Sequence, residues 1–549
     1  MLEITVINTM QRIVWVSIVV SASVMIRRTI ADAGLIYDSK GYNNGKYGPN
    51  PHQNYFSTDI TSPLLLVNSW DSTKTNNLSY IFLTLDSPGD GRSTGPVIYR
   101  ADDLSLVYGD LHWSATHNAH IGQLDGKDYL VFIEQFALGG GPSANCLLYD
   151  STYSLAYNIS AHSYENASIE LHECQLTSDG SAVVILKEII PFDLTAVGGS
   201  EDGEILDNIV QEVGVQTGEL LWLWRGSEHY NISDSYIEYK HSNGAYDYIH
   251  MNSADKASIS LFLLDTTLIN SYVLGKTSEG DFLISARHTH SITLVDGKSG
   301  SIKWTLGGKR NDFLDISPTG NATDFAWQHH ARFTDASHTR LTMFDNHNIT
   351  GVVGCTANCS RGKQIELDYE HRTAELVSEF YHPQSLVSRF EGSYQTTRSG
   401  NVFLGWGANP TFTEHTPSGE CVLDVQFNIW RPEKGYPVNY RAFKMDWKAY
   451  PTWDPAIVVL GGETNGQFKI YVSWNGATEV ARWQLIVGDS YDNVTDSVTV
   501  VLRAGFETEI LLKPRQLFIR AAALDKDDSV LGMTAIIPLA LDEEPDNSS

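Results

Sequence analysis

Three histidines recur at one place in a repeated hairpin pattern of this 549-residue chain. They are His172 in Leu-His-Glu-Cys-Gln, His250 in Ile-His-Met-Asn-Ser and His329 in Trp-Gln-His-His-Ala-Arg-Phe. Each begins a hairpin about one strand before its turn, and apolar return strands follow at 181–186, 281–286 and 340–346. Neutral imidazole is a competent nucleophile near neutral pH and also transfers protons. Three such side chains facing one cavity would support covalent group transfer or acid–base chemistry.

The elements that must position these histidines are β-hairpins. Few segments between residues 60 and 450 have helical periodicity, and short β-rich runs alternate with Gly, Asp, Asn and Ser turns. Turns that enter an outer strand recur at 217–222, 299–304 and 418–423, and further hairpin cores occur at 126–134 and 400–407. Equivalent strand ends of successive propeller blades converge on a central channel. The pattern predicts an all-β fold with a β-propeller of about six blades.

The pattern changes after the proline-marked stretch 451–455. Evenly spaced strands between residues 467 and 523 are typical of a small fibronectin-like or Ig-like β-sandwich. The expected organisation is a signal peptide or signal anchor at 1–33, a catalytic β-propeller at 34–455, a β-sandwich at 456–540 and an acidic disordered tail at 541–549. No candidate catalytic residue falls in the predicted sandwich.

The charge balance excludes some classes of partner. Lys and Arg number 38 against 66 Asp and Glu, which gives a formal net charge of −28. This field repels nucleic acid and anionic membrane surfaces, so we expect neither as a partner. An anionic small molecule would need local donors such as arginine and histidine to reverse the field inside its pocket.

The N-terminus resembles a targeting segment. Arg12 precedes the apolar run 13–26, which is shorter than the about 20 residues needed to span a bilayer, and small residues follow. A cleaved signal peptide is favoured, while Arg27 and Arg28 leave a membrane anchor open. Nine Asn-x-Ser/Thr sequons also favour secretion. They are Asn77, Asn158, Asn166, Asn231, Asn321, Asn348, Asn358, Asn493 and Asn547.

Five cysteines are few for a secreted protein of this size. Cys355 and Cys359 bracket a short polar loop and could form a small disulfide. For Cys146, Cys174 and Cys421, which lie in strand-like contexts, we expect buried thiols. No Cys-x-x-Cys pair occurs, and we expect no metal cluster.

One apolar segment, 257–276, interrupts the second histidine hairpin. Joining Lys256 directly to Thr277 would restore a hairpin of normal length, and an exposed apolar loop of this size is an aggregation liability. Our hypothesis is a translated intron left by an error in the gene model. The alternative is a genuine lid over the channel.

Nine motifs together resemble the arylsulfotransferase (ASST) family, in particular its eukaryotic, mostly fungal branch. The resemblance covers roughly residues 35 to 540, and the motifs stand in the family order. They are Leu171-His-Glu-Cys-Gln-Leu-Thr, Asp247-Tyr-Ile-His-Met-Asn-Ser, Ile284-Ser-Ala-Arg-His, Trp304-Thr-Leu-Gly-Gly, Trp327-Gln-His-His-Ala-Arg-Phe, Phe344-Asp-Asn, Ser393-Tyr-Gln, Gly400-Asn-Val-Phe-Leu-Gly-Trp-Gly and the Tyr-Arg-Ala-Phe run at 440–443.

The resemblance implies a six-bladed propeller enzyme that moves a sulfuryl group from an aryl sulfate to a phenol without a nucleotide donor. By motif, the nucleophile that would become a sulfohistidine is His329. The His-x-Asn pair is His250 and Asn252, the arginine is Arg287, and the acid–base histidine is His172. Trp327 and Asn346 join Asn252 as substrate-binding candidates. The residue after the early histidine departs from the family pattern, because Glu173 stands where Asp is frequent.

The residue types suit this chemistry on physical grounds. In sulfuryl transfer, charge sits on three peripheral oxygens, so donors such as Arg287, Asn252 and His250 are needed around them. A phenol with a pKa of about 10 leaves more easily when an acid such as His172 protonates it. The chain has no Gly-x-x-x-x-Gly-Lys-[Ser/Thr] loop, so we expect no nucleotide and no other cofactor.

Several alternatives stay open at this point. Arg287 could pair with an acidic residue, and Asn252 could cap a turn. We expect structural roles for His288, His290, His330 and His347, and either an aromatic rim or core positions for Trp113, Trp327, Trp406 and Tyr394. A zinc site built from the same histidines is a weaker hypothesis, because the local spacing is not tight. The same pocket could instead perform acid–base chemistry on a phenolic or polyketide-like metabolite, or the protein could be a non-catalytic secreted binding propeller. The oligomeric state is not predicted.

Overall fold

The structure is a computed structural model. It describes residues 32–75, 79–85, 94–138, 141–161, 168–240, 244–257, 280–348, 355, 357, 359–430, 439–461, 467–513 and 516–539. The predicted targeting segment up to residue 31, the tail at 541–549, nearly all of the segment 257–276 and four sequon asparagines (Asn77, Asn166, Asn358, Asn547) lie outside the described residues.

Nearly all of the regular secondary structure in the described residues consists of β-strands, as the sequence predicts. One short helix, α1 (Ser39–Asn43), lies near the start of the described chain, where the Asp38 side chain accepts a hydrogen bond from the Gly41 N–H. Two strands, β1 (His52–Asn54) and β2 (Thr61–Pro63), form a hairpin of their own. The next four are β3 (Leu66–Trp70), β4 (Tyr80–Leu85), β5 (Gly95–Arg100) and β6 (Leu106–Gly109).

Three antiparallel sheets follow, each built from four consecutive strands. Sheet 1 contains β7 (Thr116–Leu124), β8 (Lys127–Leu138), β9 (Gly141–Tyr149) and β10 (Leu155–Ile159). Sheet 2 contains β11 (Ser168–Leu176), β12 (Ser181–Phe192), β13 (Gly203–Gly214) and β14 (Leu220–Arg225). Sheet 3 contains β15 (Met251–Lys256), β16 (Phe282–Ala286), β17 (Ser291–Val295) and β18 (Ile302–Gly307).

Three further sheets follow: sheet 4 is built from consecutive strands, whereas sheets 5 and 6 include strands from distant parts of the chain. Sheet 4 contains β19 (Leu314–Asp315), β20 (His329–Phe333), β21 (Arg340–Asp345), β22 (Arg361–Asp368) and β23 (Thr373–Tyr381), with β19 parallel to β23. Sheet 5 contains β24 (Ser393–Thr396), β25 (Val402–Gly405), β26 (Thr411–His415), β27 (Cys421–Gln426) and, at its outer edge, β3. Sheet 6 places β28 (Phe443–Met445) beside β4, β5 and β6.

The innermost strands of sheets 1 to 6, one from each sheet, surround a common axis. Strand β7 contacts β11, β11 contacts β15, β15 contacts β20, β20 contacts β24, β24 contacts β28, and β28 contacts β7. The circle is closed by β3 and β28, which tie the early chain to the late chain. Apolar clusters fill the space between neighbouring sheets, because strands such as β16 bury both faces.

The remaining strands form two packed sheets beyond residue 455. One contains β29 (Ala456–Leu460), β30 (Phe468–Ser473) and β33 (Glu507–Leu512). The other contains β31 (Arg482–Gly488), β32 (Asp496–Leu502), β34 (Phe518–Leu524), β35 (Val530–Met533) and β36 (Ile537–Pro538). Their common core includes Trp483 and Ile470. An ion pair from Arg503 to Asp103, 2.7 Å between nitrogen and oxygen, joins this region to sheet 6.

The cysteine expectation was wrong for two residues. Cys146 on β9 and Cys174 on β11 form a disulfide rather than buried thiols. The bond links sheets 1 and 2 inside their shared apolar cluster, a proximity that 28 residues of sequence separation do not reveal. Cys355 is bonded to Cys359. Cys421 remains a thiol, and burial raises its pKa to about 12.

We predict that the double variant Cys146→Ser/Cys174→Ser unfolds more easily than the wild type. A cross-link that closes a loop of this size removes unfolded-state entropy worth about 3 kcal/mol. Denaturant unfolding without reductant measures the change, and Cys421→Ser, which breaks no cross-link, is the control. Equal stability of the double variant and the control would contradict the prediction.

Candidate active site

The predicted histidines lie in or directly beside irregularities in the hydrogen-bonded pairing of the innermost strands. Strand β11 loses register between Ile169 and Cys174, β15 between Met251 and Ser253, and β20 between His329 and Arg332. Strand β7 has the same interruption between His117 and His120. A bulge bends a strand and re-aims its side chains. These irregularities turn polar residues of four sheets toward the axis.

Left-handed backbone accompanies the bulges. The φ angle is 63° at Asn118, 54° at His250, 54° at His330 and 58° at Trp327. Each such non-glycine conformation costs on the order of 1–3 kcal/mol and persists only where the surroundings impose it. The strain coincides with the candidate site.

His172 is held by a carboxylate. Its Nδ1 bonds Glu170, and Lys187 Nζ lies 3.1 Å from the other oxygen of that carboxylate. Burial raises the pKa of Glu170, but His172 and Lys187 lower it by more, so the carboxylate stays ionised. Nδ1 therefore carries the proton of the neutral ring and Nε2 carries the lone pair. Burial also lowers the pKa of His172.

His250 has the same arrangement. Its Nδ1 lies 2.6 Å from Asp247 Oδ2, and Lys187 Nζ lies 3.8 Å from the same oxygen. Burial, followed by the charge of Lys187, lowers the pKa of His250 well below its usual value. The rings of His172 and His250 are 4.9 Å apart, edge to face. Two imidazole–carboxylate pairs thus share one lysine.

His329 has a neutral partner instead. Its Nδ1 lies 2.7 Å from Asn346 Oδ1. The Asn346 amide nitrogen donates to the carbonyls of Ser388 and Glu391, which fixes Oδ1 as an acceptor and places the ring proton on Nδ1. The Nε2 lone pair accepts the Glu391 N–H at 3.1 Å. Burial, followed by the charge of Arg287, lowers the pKa of His329 well below its usual value.

Arg287 is anchored beside these histidines. One terminal nitrogen donates to His288 Nε2 at 2.8 Å and the other to the Arg389 carbonyl at 3.2 Å. The guanidinium lies 5.0 Å from the ring centre of Trp327. Burial lowers its pKa to about 10, so it stays a cation at neutral pH. Its buried Nε has no hydrogen-bond partner among the residues that the structure describes.

Asn252 differs from the sequence expectation. Its amide nitrogen donates to the Gln328 carbonyl at 2.7 Å, and its buried Oδ1 finds no partner in the described part of the chain. The side chain thus presents an acceptor where we expected a donor. The reason is the Gln328 carbonyl, just before strand β20, which accepts the hydrogen bond of the amide nitrogen.

The aromatic candidates separate into two groups. Trp327 contacts Arg287, His288 and His290 at the site. The others belong to the packing of the sheets. Trp406 is fully buried and donates to Thr413, Tyr394 is 2% exposed, and Trp113 packs against Phe132.

Sequence reasoning missed the residues that hold the histidines in place. Glu170 stands two positions before His172 and Asp247 three before His250, a recurrence that a search for upstream carboxylates would have found. His117 is a further buried histidine on the innermost strand β7, and burial lowers its pKa to about 4. No sequence signal points to Lys187, because it comes from the second strand of sheet 2.

Asp247, His250 and His288 form the one group of described residues in which potential metal-ligand atoms cluster, all within 4.8 Å of one another. Their surroundings disfavour a cation. His288 Nε2 already accepts from Arg287, and Lys187 lies beside Asp247. Lys187 offsets the carboxylates of Glu170 and Asp247, and the charge of Arg287 suits an anion instead.

The comparison with known protein families decides the family. The sequence model described as Arylsulfotransferase (ASST) matches residues 120–428, more than half of the chain. The chain belongs to the arylsulfotransferase (ASST) family. The match includes every site residue discussed so far except His117 and Asn118.

Solved structures resemble the ASST-family chain only distantly. They include a protein of unknown function from Bacteroides caccae (10% identity, 67% of this chain and 98% of that chain, TM-score 0.36). Another is the periplasmic gluconolactonase PpgL of Pseudomonas aeruginosa, with 9% identity over 79% of this chain and 99% of that chain and a TM-score of 0.32. A third is the Cps50 (Swd1) β-propeller domain of Myceliophteria thermophila, with 10% identity over 74% of this chain and 93% of that chain and a TM-score of 0.27. These TM-scores carry no argument about function. No curated protein matches the chain.

Proposed function

We propose that this protein is an aryl sulfotransferase that moves a sulfuryl group from an aryl sulfate to a phenolic acceptor without a nucleotide donor. Membership of the ASST family supports chemistry of this class on small molecules. The observation that carries the mechanism is a difference among three histidines. His172 and His250 are backed by carboxylates, whereas His329 is backed by a neutral amide.

This difference supports a division of labour. A carboxylate favours the imidazolium, so His172 and His250 are better suited than His329 to take up and release a proton. The amide of Asn346 gives no such stabilisation, and the buried His329 ring stays neutral with its lone pair on Nε2. A neutral imidazole in this state is suited to nucleophilic attack.

The proposed reaction has two half-reactions. The His329 Nε2 lone pair attacks sulfur, the bond from sulfur to the phenolic oxygen breaks, and His172 protonates the departing oxygen. Arg287 holds the sulfuryl oxygens, and the substrate displaces the Glu391 N–H from Nε2. The acceptor phenol then attacks the sulfur of the sulfohistidine, the bond from Nε2 to sulfur breaks with its electron pair on Nε2, and the phenol gives its proton to His172.

A second candidate function is acid–base chemistry on a phenolic or polyketide-like metabolite. One observation favours it: the His329 lone pair is occupied by the Glu391 N–H, while two carboxylate-backed imidazoles stand side by side. In that case His172 and His250 would do the chemistry and His329 would be structural.

We also propose a finer description of the fold. The closed circle of sheets 1 to 6 is best described as a six-bladed propeller, and the two packed sheets beyond residue 455 as a fibronectin-like sandwich that serves no catalytic purpose. The eukaryotic, mostly fungal branch of the family is the proposed place of the chain.

Entry into the secretory pathway is a further proposal. The disulfides Cys146–Cys174 and Cys355–Cys359 suit an oxidising compartment, and the sequon residues Asn158, Asn231 and Asn493 are exposed. None of the described helices has the length and apolar character needed to cross a membrane. We expect the secreted protein to lose mass on treatment with an endoglycosidase; a cytosolic protein without glycans would contradict the proposal.

We predict that His329→Asn abolishes phenol release from 4-nitrophenyl sulfate. Asparagine keeps a polar side chain but lacks the nucleophile, so the first half-reaction and its burst should both vanish. Stopped-flow absorbance of nitrophenol measures the release, and the wild type should follow ping-pong kinetics with a phenolic acceptor.

The matched control is His330→Asn. His330 is the next residue of the strand, bonds the Tyr394 N–H, and has a φ of 54° that asparagine tolerates. This variant should keep the burst. A burst that survives in His329→Asn would reject the nucleophile and favour the acid–base alternative.

The pH profile should depend on the leaving group. The pKa of His172 lies below its usual 6.5, so the ring is mostly neutral at pH 7 and gains its acidic proton only as the pH falls. Release from phenyl sulfate should therefore rise by up to about tenfold per unit between about pH 7.5 and 5.5. Release from 4-nitrophenyl sulfate should stay flat, because its phenolate needs no proton. An identical profile for both donors, or a slope that survives in His172→Asn, would contradict the acid role.

A further inference from the structure

Tyr440 stands among the site histidines although no earlier argument required it. It lies just before β28 and is 2% exposed. Its ring centre is 5.4 Å from that of His172, 6.3 Å from that of His329 and 6.2 Å from that of His117, in each case edge to face. The ring therefore touches both the proposed acid–base residue and the proposed nucleophile.

The hydroxyl of Tyr440 has no hydrogen-bond partner within the described residues, although it is buried. Buried tyrosine hydroxyls usually find a partner, because an unmade hydrogen bond costs stability. An unpaired buried donor in a native site calls for a ligand that pairs with it. The Tyr440 ring lies beside both reactive imidazoles, so that ligand would be the group that reacts there.

Burial keeps the proton of this hydroxyl in place. It raises the pKa of Tyr440 well above its usual value; Arg441 acts in the opposite direction, and the carboxylates of Glu170 and Glu391 raise the pKa further. The phenol is thus a hydrogen-bond donor and not a proton-transfer acid. It is also electrostatically coupled to Arg287, the group proposed to hold the sulfuryl oxygens.

We infer that Tyr440 is a further catalytic residue, whose O–H donates a hydrogen bond to a peripheral oxygen of the sulfuryl group as it passes between a phenolic oxygen and His329 Nε2. The inference rests on the proposed function. During the first step the nitrogen–sulfur bond forms, the sulfur–oxygen bond breaks with its electron pair on the phenolic oxygen, and His172 supplies the proton. Tyr440 keeps its own proton. Nδ1 of His329 also keeps its proton, which stays hydrogen-bonded to Asn346 Oδ1.

A donor at a peripheral oxygen acts in both half-reactions. The same three oxygens carry charge when sulfur moves to His329 and when it moves to the acceptor. The contribution of Tyr440 should therefore be independent of the leaving group, unlike that of His172. This separates the two residues experimentally.

The test is Tyr440→Phe, assayed in single turnover with phenyl sulfate and 4-nitrophenyl sulfate and in return transfer to phenol. We expect both half-reactions to slow by about 10², equally for the two donors, since removal of one such donor commonly costs this much. The melting temperature should be equal to or higher than that of the wild type, because the substitution removes an unpaired buried hydroxyl. A merely structural role for Tyr440 would predict unchanged rates and a lower melting temperature for Tyr440→Phe.

The control is Tyr99→Phe. Tyr99 is a 1% exposed tyrosine on β5 of the same sheet, packed in an apolar cluster away from the axis. This variant should keep both rates. An active wild type with an unimpaired Tyr440→Phe, or a loss that depends on the leaving group, would overturn this role alone. A wild type that releases no phenol from either donor would reject the proposed function and this role together.

Discussion

A buried ion cluster across the axis holds the site together. Glu173 is fully buried, lies 2.6 Å from Arg332 and 3.0 Å from Arg441, and so joins sheet 2 to the strands of sheets 4 and 6. Arg441 also bonds the Asn118 side chain of sheet 1 and the Asn252 carbonyl of sheet 3. Removing one partner of such a buried cluster typically costs about 3–5 kcal/mol, because it leaves an uncompensated charge. The departure from Asp at this position fits, since the longer Glu side chain reaches two guanidinium groups.

The chemistry of the site depends on the partner that the Nδ1 of each imidazole contacts. A strongly acidic chain would repel an anionic substrate, yet Arg287 and Lys187 provide local positive charge at the site. In the proposed mechanism, the carboxylates behind two rings and the amide behind the third separate proton transfer from nucleophilic attack. The bulges and the left-handed backbone positions explain how strands that would otherwise alternate can present these groups together.

Much of the fold and part of the site could be predicted from the sequence. The hairpin recurrence indicated β-sheets around an axis, and the repeated position of His172, His250 and His329 indicated that they share a site, because both signals are local. The family motifs added Arg287, which the structure places at the same site. Closure of the circle by β3 and β28 joins segments more than 350 residues apart, and hairpin periodicity carries no such information.

Other features could not be predicted because they depend on neighbours across sheets. The orientation of the Asn252 amide is set by the Gln328 carbonyl just before β20, the disulfide of Cys146 joins two sheets, and Lys187 reaches two carboxylates from a second strand. Each requires the packing of the sheets, which motif order alone does not contain.

The central claim is a covalent sulfohistidine at His329. Intact-protein mass spectrometry after rapid mixing with 4-nitrophenyl sulfate, quenched at alkaline pH, measures it directly. The account predicts a transient adduct with the mass of one sulfuryl group, mapped to His329, that disappears when phenol is added. An adduct that never forms while phenyl sulfate is still produced from 4-nitrophenyl sulfate and phenol would contradict it.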